Sequence, residues 1–278
     1  MPLTVTLADG TEVPALGQGT WRMGERADRR RSEIQSLQLG VELGMTVVDT
    51  AEMYGDGRTE SLLAEALQGY RNEVFLVSKV YPHNATAEGV VAACERSLAR
   101  LQTDRLDLYL LHWRGGVPLS ETLAGFRRLV ESGKILRWGV SNFDTDDMDE
   151  LLALDGGAGC AANQVLYNLM RRGPEFDLLS LLQERRIATM AYSPIEQGQL
   201  PRSDALAAIA RKHGCSQQRV ALAFVLRRPG VIAIPKAGRP DHVRDNHAAL
   251  SLALDEDDVA KLDAAFPKPR RKRPLEMI

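Results

Sequence analysis

The sequence predicts an α/β fold, a (β/α)8 TIM barrel entered through an N-terminal β-hairpin. Eight short apolar, β-branched runs alternate with helical patterns along 278 residues, and such barrels typically take about 250 residues. No linker and no shift in composition interrupts the alternation, so 1–278 reads as one domain. A doubly wound open sheet shares the alternation and is the competing fold.

The opening "LTVTLADGTEVPAL" alternates on either side of Asp9-Gly10, a strong turn signal, and reads as the hairpin. The strand-like runs follow: "LGQGTW" (16–21), "TVVD" (46–49), "EVFLVSKV" (73–80), "LDLYLLH" (106–112), "LRWGVSN" (136–142), "AANQV" (161–165), "IATMAY" (187–192) and "VIAIPK" (231–236). Helical patterns fall between them. "RRRSEIQSLQLGVELG" places Ile34, Leu37 and Val41 on one face, and the Gly-rich turn after Tyr54 opens into a helix. "TAEGVVAACERSLARL" starts at a Thr86 N-cap, with Gly89 where a capping box wants Glu. "LSETLAGFRRLVESGK" spaces Leu119, Leu123, Phe126, Leu129 and Val130 for one buried face and stops at Gly133. "PEFDLLSLLQERR" carries Pro174 near a first-turn position, where a missing N–H costs nothing. Two helical segments, "SDALAAIARKHG" and "QQRVALAFVLRR", lie between the last two strands.

Composition narrows the functional classes. A net charge of -2, with 44% hydrophobic and 26% charged residues, is ordinary for a globular chain. It offers no surplus of positive charge for phosphates, so no nucleic-acid partner is expected. The basic "KPRRKRP" (268–274) reads as a solvated end. The first residues lack a charged start followed by an apolar segment, and no apolar run approaches the ~20 residues of a membrane helix. Cys94, Cys160 and Cys215 stand too far apart for a disulfide framework or a metal site. A reduced, cytoplasmic protein without a metal is the expectation.

Chemistry on such a barrel gathers at the C-terminal ends of the strands. Asp49 ends the second strand, Tyr54 lies in the loop after it, Lys79 sits near the end of the third, and His112 ends the fourth. Each residue alone has an ordinary structural use. Together they bring an acid, a phenol, an ammonium and an imidazole to four neighbouring sectors of one rim. A phenol titrates near ~10, and a lysine ammonium beside it lowers that value by favouring phenolate. An aspartate paired with the lysine keeps the ammonium charged and aimed, and an imidazole can polarise a carbonyl oxygen. The set is a proton donor for an oxygen that becomes an alkoxide when hydride reaches its carbon.

"VVDTAEMYG", "LVSKV", "LLHW", "GVSNF", "NQVLYN", "AYSP" and "IPKAG…DN" resemble, in order, the successive motifs of the aldo-keto reductases, over about residues 5 to 265. The tail "AFPKPRRKRPLEMI" resembles that of the short-tailed bacterial members. The resemblance implies a monomeric barrel that reduces small-molecule carbonyl compounds with a nicotinamide cofactor. Its tetrad falls on Asp49, Tyr54, Lys79 and His112, with Tyr54 as general acid, Lys79 depressing its pKa and His112 a neutral polarising imidazole.

The resemblance also implies a cofactor site. Ser141, Asn142 and Gln164 would bond the carboxamide, Tyr192 would stack on the nicotinamide ring, and Ser193 with "PIEQG" would run along the pyrophosphate. Lys236 would face the ribose phosphate, Asn246 the adenine with Asp245 beside it, and Gly19, Thr20 and Trp21 the ribose and nicotinamide. Trp21, Tyr54, His112 and Trp113 would line the substrate pocket. One departure stands out: His242 lies six residues after Lys236, where NADP-preferring members carry Arg, and Ala237 replaces a small hydroxyl residue. Arg239 and Arg244 are the candidates to grip a 2′-phosphate. NADPH is expected ahead of NADH.

The G-x-G of "GQGTWRMG" and the glycines of 155–159 lack dinucleotide-fingerprint spacing and read as turns. A nucleotide-sensing or regulatory barrel with little turnover is the functional alternative, because fold does not fix function. A phosphate-handling isomerase leaves Asp49, Tyr54 and Lys79 without roles.

Overall fold

A computed structural model describes residues 3–278. The hairpin pairs β1 (Thr4–Thr6) with β2 (Glu12–Pro14) antiparallel, Val5 opposite Val13. Gly10 takes the left-handed conformation that its turn requires (φ 86). Val5, Leu7 and Val13 bury into the main core. Arg137, just ahead of a barrel strand, donates to Asp9 Oδ2 at 2.6 Å and Thr11 Oγ1 at 2.5 Å. The hairpin therefore covers the N-terminal mouth of the barrel and leaves the C-terminal mouth free.

The barrel strands are β3 (Gln18–Gly19), β4 (Val47–Asp49), β5 (Phe75–Val80), β6 (Leu108–Leu111), β7 (Trp138–Ser141), β8 (Ala162–Leu166), β9 (Ala188–Tyr192) and β10 (Val231–Ile234). Each pairs in parallel with the next, so all eight sequence runs became neighbouring strands in chain order. Closure excludes the open sheet. Leu16 bridges Ala233 and Gly19 bridges Lys236, while Gly17 N–H donates to Ala233 O and Ala233 N–H to Ala15 O, both at 2.8 Å. A Cβ on Gly19 would lie 2.6 Å from Ile234 O, so this seam needs a residue without one.

The helices are α1 (Arg30–Glu42), α2 (Arg58–Ala66), α3 (Ala87–Leu101), α4 (Leu119–Glu131), α5 (Thr145–Ala153), α6 (Leu178–Glu184), α7 (Asp204–Lys212), α8 (Gln217–Leu226), α9 (Pro240–Ala248) and α10 (Glu256–Ala265). Thr86 caps α3 by accepting Gly89 N–H at 3.1 Å. A side chain at Gly89 would meet Asn84 O at 2.6 Å, which is why the capping box stays incomplete there.

Three readings of the sequence change. Val130 is 42% exposed, because the buried stripe of α4 runs through Leu119, Leu123, Phe126 and Leu129 and leaves it at the edge. Pro174 opens a short 3-10 turn, Gly173–Glu175, and Asp177 (φ -144) breaks the chain before α6 begins. The tail is mostly exposed, yet Lys272 Nζ lies 2.7 Å from Asp146 Oδ1, Arg171 Nη1 lies 3.0 Å from Glu276 Oε1, and Leu275 packs on the core. It is a tethered strand of chain and not a free end. No helix among the described residues is long and apolar enough to cross a membrane.

Candidate active site

Asp49 and Lys79 end up side by side because β4 and β5 are adjacent parallel strands whose last residues face one mouth. Both are buried, Lys79 fully, so neither charge survives there without partners. Lys79 has three N–H donors and three acceptors: Asp49 Oδ2 at 2.8 Å, Thr50 O at 2.7 Å and Tyr54 Oη at 3.3 Å. Gln164 Nε2 donates to the other Asp49 oxygen at 2.8 Å. Burial pushes the Asp49 carboxyl above its usual range against the pull of Lys79 and Gln164. Burial likewise lowers Lys79 against the support of Asp49.

Tyr54 opens a tight turn, Tyr54–Gly57, in which Gly55 (φ 56), Asp56 (φ 53) and Gly57 (φ 84) are all left-handed before α2 starts. That turn returns the phenol over the lysine, Nζ 4.9 Å from its ring centroid. The bond from Lys79 occupies an oxygen lone pair, which leaves the phenol's own proton to be given elsewhere.

One expectation is overturned. Burial, with the Asp49 carboxylate second, holds the Tyr54 phenol well above its ordinary value of 10.0 and not below it. The Lys79 charge is already matched by Asp49, so the phenol feels a neutral pair more than a bare cation. Tyr54 is a protonated phenol at neutral pH.

His112 follows β6, 8% exposed, its ring 6.1 Å from that of Tyr54 at an interplanar angle of 71°. Burial, then the Lys79 charge, push it down to about 2, so the imidazole is neutral. Its Nδ1 is sealed without a hydrogen-bond partner among the described residues. A buried orphan N–H is rarer and costlier than an orphan lone pair. The proton therefore belongs on Nε2, the nitrogen left open to a ligand.

A second network adjoins the first. Ser141 Oγ donates to Gln164 O at 2.9 Å, and Asn142 Nδ2 to His112 O at 3.1 Å. Tyr192 Oη donates to Asn142 Oδ1 at 2.9 Å, which joins the ends of β7 and β9. Asn142 is left-handed (φ 59), and this turns its amide into the mouth. Burial raises the Tyr192 phenol too.

Thr20 is fully buried and donates to Asp49 O at 2.8 Å, so its hydroxyl braces the tetrad and is not free for a ligand. Trp21 lies under Arg22, whose guanidinium carbon is 4.4 Å from the ring, while Trp113 packs against His112 at 4.9 Å. Asp245 is held by Ser216 Oγ at 2.5 Å and Arg219 Nη2 at 2.6 Å, which commits its carboxylate to the start of α8. Asn246 is buried with Nδ2 unpartnered among the described residues. Arg239 is paired with Asp241, whereas Arg244 and His242 are exposed. Lys236 is exposed among the charges of Glu33, Arg29 and Arg22.

Sequence reasoning passed over three supporting residues. Tyr81, two positions past Lys79, stands edge-on to Trp113 at 5.7 Å and completes the aromatic rim. Glu52, between Asp49 and Tyr54, accepts Tyr81 N–H at 2.8 Å and Asn84 Nδ2 at 3.0 Å. Asn168 uses its whole amide: Nδ2 donates to Ser193 O (2.9 Å) and Glu196 Oε2 (2.7 Å), and Oδ1 accepts from Met170 and Arg171 N–H (2.8 and 2.9 Å). Position inside a quoted motif was the available signal for Glu52 and Asn168, while Tyr81 lies one residue past "LVSKV" and carried none.

Residues 15–266 match the model of the aldo/keto reductase family. The chain belongs to that family. It is 49% identical to the methylglyoxal reductase YeaE of Escherichia coli over 99% of this chain and 98% of that protein. It is 34% identical to the glyoxal reductase of Bacillus subtilis, with 94% and 92% covered. The crystal structure of an aldo/keto reductase from Klebsiella pneumoniae, in complex with NADP and acetate, superposes with a TM-score of 0.97 at 48% identity over all of both chains. The Asp49–Tyr54–Lys79–His112 cluster and the adjoining Ser141–Asn142–Tyr192 network sit on the scaffold of this family.

Proposed function

We propose that the protein is an NADPH-dependent reductase of small aldehydes and ketones, including 2-oxoaldehydes of the methylglyoxal and glyoxal type. The observation that carries this reading is the buried Asp49–Lys79–Tyr54 chain ending in a protonated phenol beside a neutral His112. Family membership, the reductases among the relatives and the NADP-bound Klebsiella structure support it.

The residues present suit the cofactor. The Gln164 amide oxygen is an open acceptor for a carboxamide N–H, and the Ser141 hydroxyl and Asn142 amide would donate to its carbonyl by exchanging their present bonds to Gln164 O and His112 O. Tyr192 gives a half-buried aromatic platform, Ser193 to Gly198 the covering segment, and Lys236 with Arg244 unneutralised charge for a 2′-phosphate. The unpartnered Nδ2 of Asn246 is a buried donor awaiting an acceptor such as a purine nitrogen. A bound reduced nicotinamide supplies hydride to the carbonyl carbon.

The chain's own residues do the rest. His112 Nε2–H holds and polarises the carbonyl oxygen. Tyr54 gives its proton to that oxygen; an alkoxide is a stronger base than a phenolate, so the transfer runs downhill even from a raised pKa. Lys79 then stabilises the phenolate it already touches, and Asp49 keeps Lys79 charged. Trp113 and Tyr81 shield the reacting carbon from water on one side.

We further propose that residues 1–278 work as one domain, as a monomer, in the cytoplasm. Cys94 and Cys160 are buried, their thiols pushed up to about 12, so neither serves as a nucleophile in this reading. The test is loss of reduced-nicotinamide absorbance with methylglyoxal, glyoxal and simple aldehydes, using NADPH and NADH in parallel. Turnover with NADPH ahead of NADH is expected. Tight dinucleotide binding without turnover on any carbonyl would replace this reading with a nucleotide-sensing role.

A further inference from the structure

The segment after β9 is held in an unfavourable backbone. Ser193 (φ 47), Glu196 (φ 48), Gln197 (φ 55) and Gly198 (φ 81) are all left-handed, and three of them are not glycine. Such residues persist only where surrounding contacts over-determine them. The ties come from outside the segment. Asn168 holds Ser193 O and Glu196 Oε2, and Arg171 donates to Glu196 Oε1 from Nη2 at 2.8 Å and Nε at 3.1 Å.

Arg171 has one more group, and it reaches the C-terminal tail: Nη1 donates to Glu276 Oε1 at 3.0 Å. On one side of Glu276, Leu275 packs on the core; on the other, the backbone N–H of Ile278 faces the Tyr192 hydroxyl. The last residues of the chain thus cross the mouth beside the aromatic platform, and one guanidinium ties them to the strained segment.

We propose that Arg171 is a positioning residue that latches the C-terminal strap, through Glu276, to the segment Ser193–Gly198, so that the strap controls how fast the dinucleotide leaves. This rests on the cofactor reading above. Arg171 touches neither carbonyl nor hydride donor in it; its effect falls on cofactor retention and on turnover only where release limits turnover. Opening the mouth requires parting Arg171 from Glu276 or from Glu196, and both pairs are accessible enough to be screened by salt.

The experiment is stopped-flow release of NADPH, read from the fluorescence of the bound reduced nicotinamide, for wild type, Glu276→Gln, Glu276→Asp and Arg171→Met. Glu276→Gln should release roughly two- to fivefold faster, the range an exposed ion pair supports. Arg171→Met, which also frees Glu196, should release about tenfold faster or more. Glu276→Asp should recover part of the loss, and the rise of release rate with salt in wild type should flatten in Glu276→Gln. Single-turnover carbonyl reduction should change little, which separates retention from damage to the tetrad. Release rates and salt slopes equal to wild type in Glu276→Gln and Arg171→Met would overturn the latch while leaving the cofactor reading intact. A wild type that binds no dinucleotide would overturn both.

Discussion

Acidification should weaken this fold through His112 in a way that one substitution removes. The imidazole titrates at 6.5 when unfolded and is driven to about 2 when folded, by burial first and by Lys79 second. Above the unfolded value neither state binds the proton and the residue contributes nothing to the pH dependence. Below it the unfolded chain binds a proton that the folded chain refuses, so stability falls with pH and levels off only near the folded value. Each unit in that window costs ~1.4 kcal/mol, hence ~2 kcal/mol between about pH 6.5 and pH 5. Urea denaturation of wild type and His112→Gln at about pH 7.5 and pH 5 gives the difference directly. Comparing the two proteins cancels the titration of carboxylates common to both. Wild type should lose ~2 kcal/mol more than the variant on acidification. An equal loss would show that the folded imidazole takes up a proton as readily as the unfolded one, and the neutral polarising role would fall with it.

Other outcomes follow from the same geometry. Lys79→Met should destabilise the protein by about 3–5 kcal/mol because the Asp49 carboxylate stays buried without its cation, and the double variant with Asp49→Asn should recover much of that in denaturant titrations. Gly19→Ala should cost roughly 1–3 kcal/mol, read as a shift of unfolding midpoint, because its Cβ would lie 2.6 Å from Ile234 O at the barrel seam. Arg239→Ala should leave NADPH affinity unchanged, its guanidinium being already paired with Asp241. Lys236→Met should weaken NADPH about tenfold and NADH little, measured by fluorescence titration.

The strands were legible because each is a run of apolar residues bounded by turn signals, the pattern of a parallel sheet buried on both faces. The tetrad's placement was legible because strand ends of one barrel share one rim. α5 and α10 were not, because both begin in acidic clusters that look like loop. The structure shows those acids as capping boxes, Asp144 with Asp147 and Asp255 with Asp258. α9 hid behind Pro240, which occupies a first-turn position. The direction of the Tyr54 shift was also out of reach. It depends first on how deeply the phenol is buried and then on the Asp49 carboxylate beside it, and the sequence holds neither burial nor distances. Asp245 and Thr20 show the same limit: each motif position is filled, but the side chain bonds to its own scaffold. Arg171, Glu196 and Glu276 meet across long separations that no local pattern marks.

The most direct measurement is the single-turnover rate of NADPH oxidation by methylglyoxal in wild type and Tyr54→Phe, with cofactor affinity determined for each. Proton donation by Tyr54 predicts a fall of roughly 10²–10⁴-fold in rate with NADPH binding and folded stability nearly unchanged. A variant that reduces methylglyoxal at the wild-type rate would contradict the account.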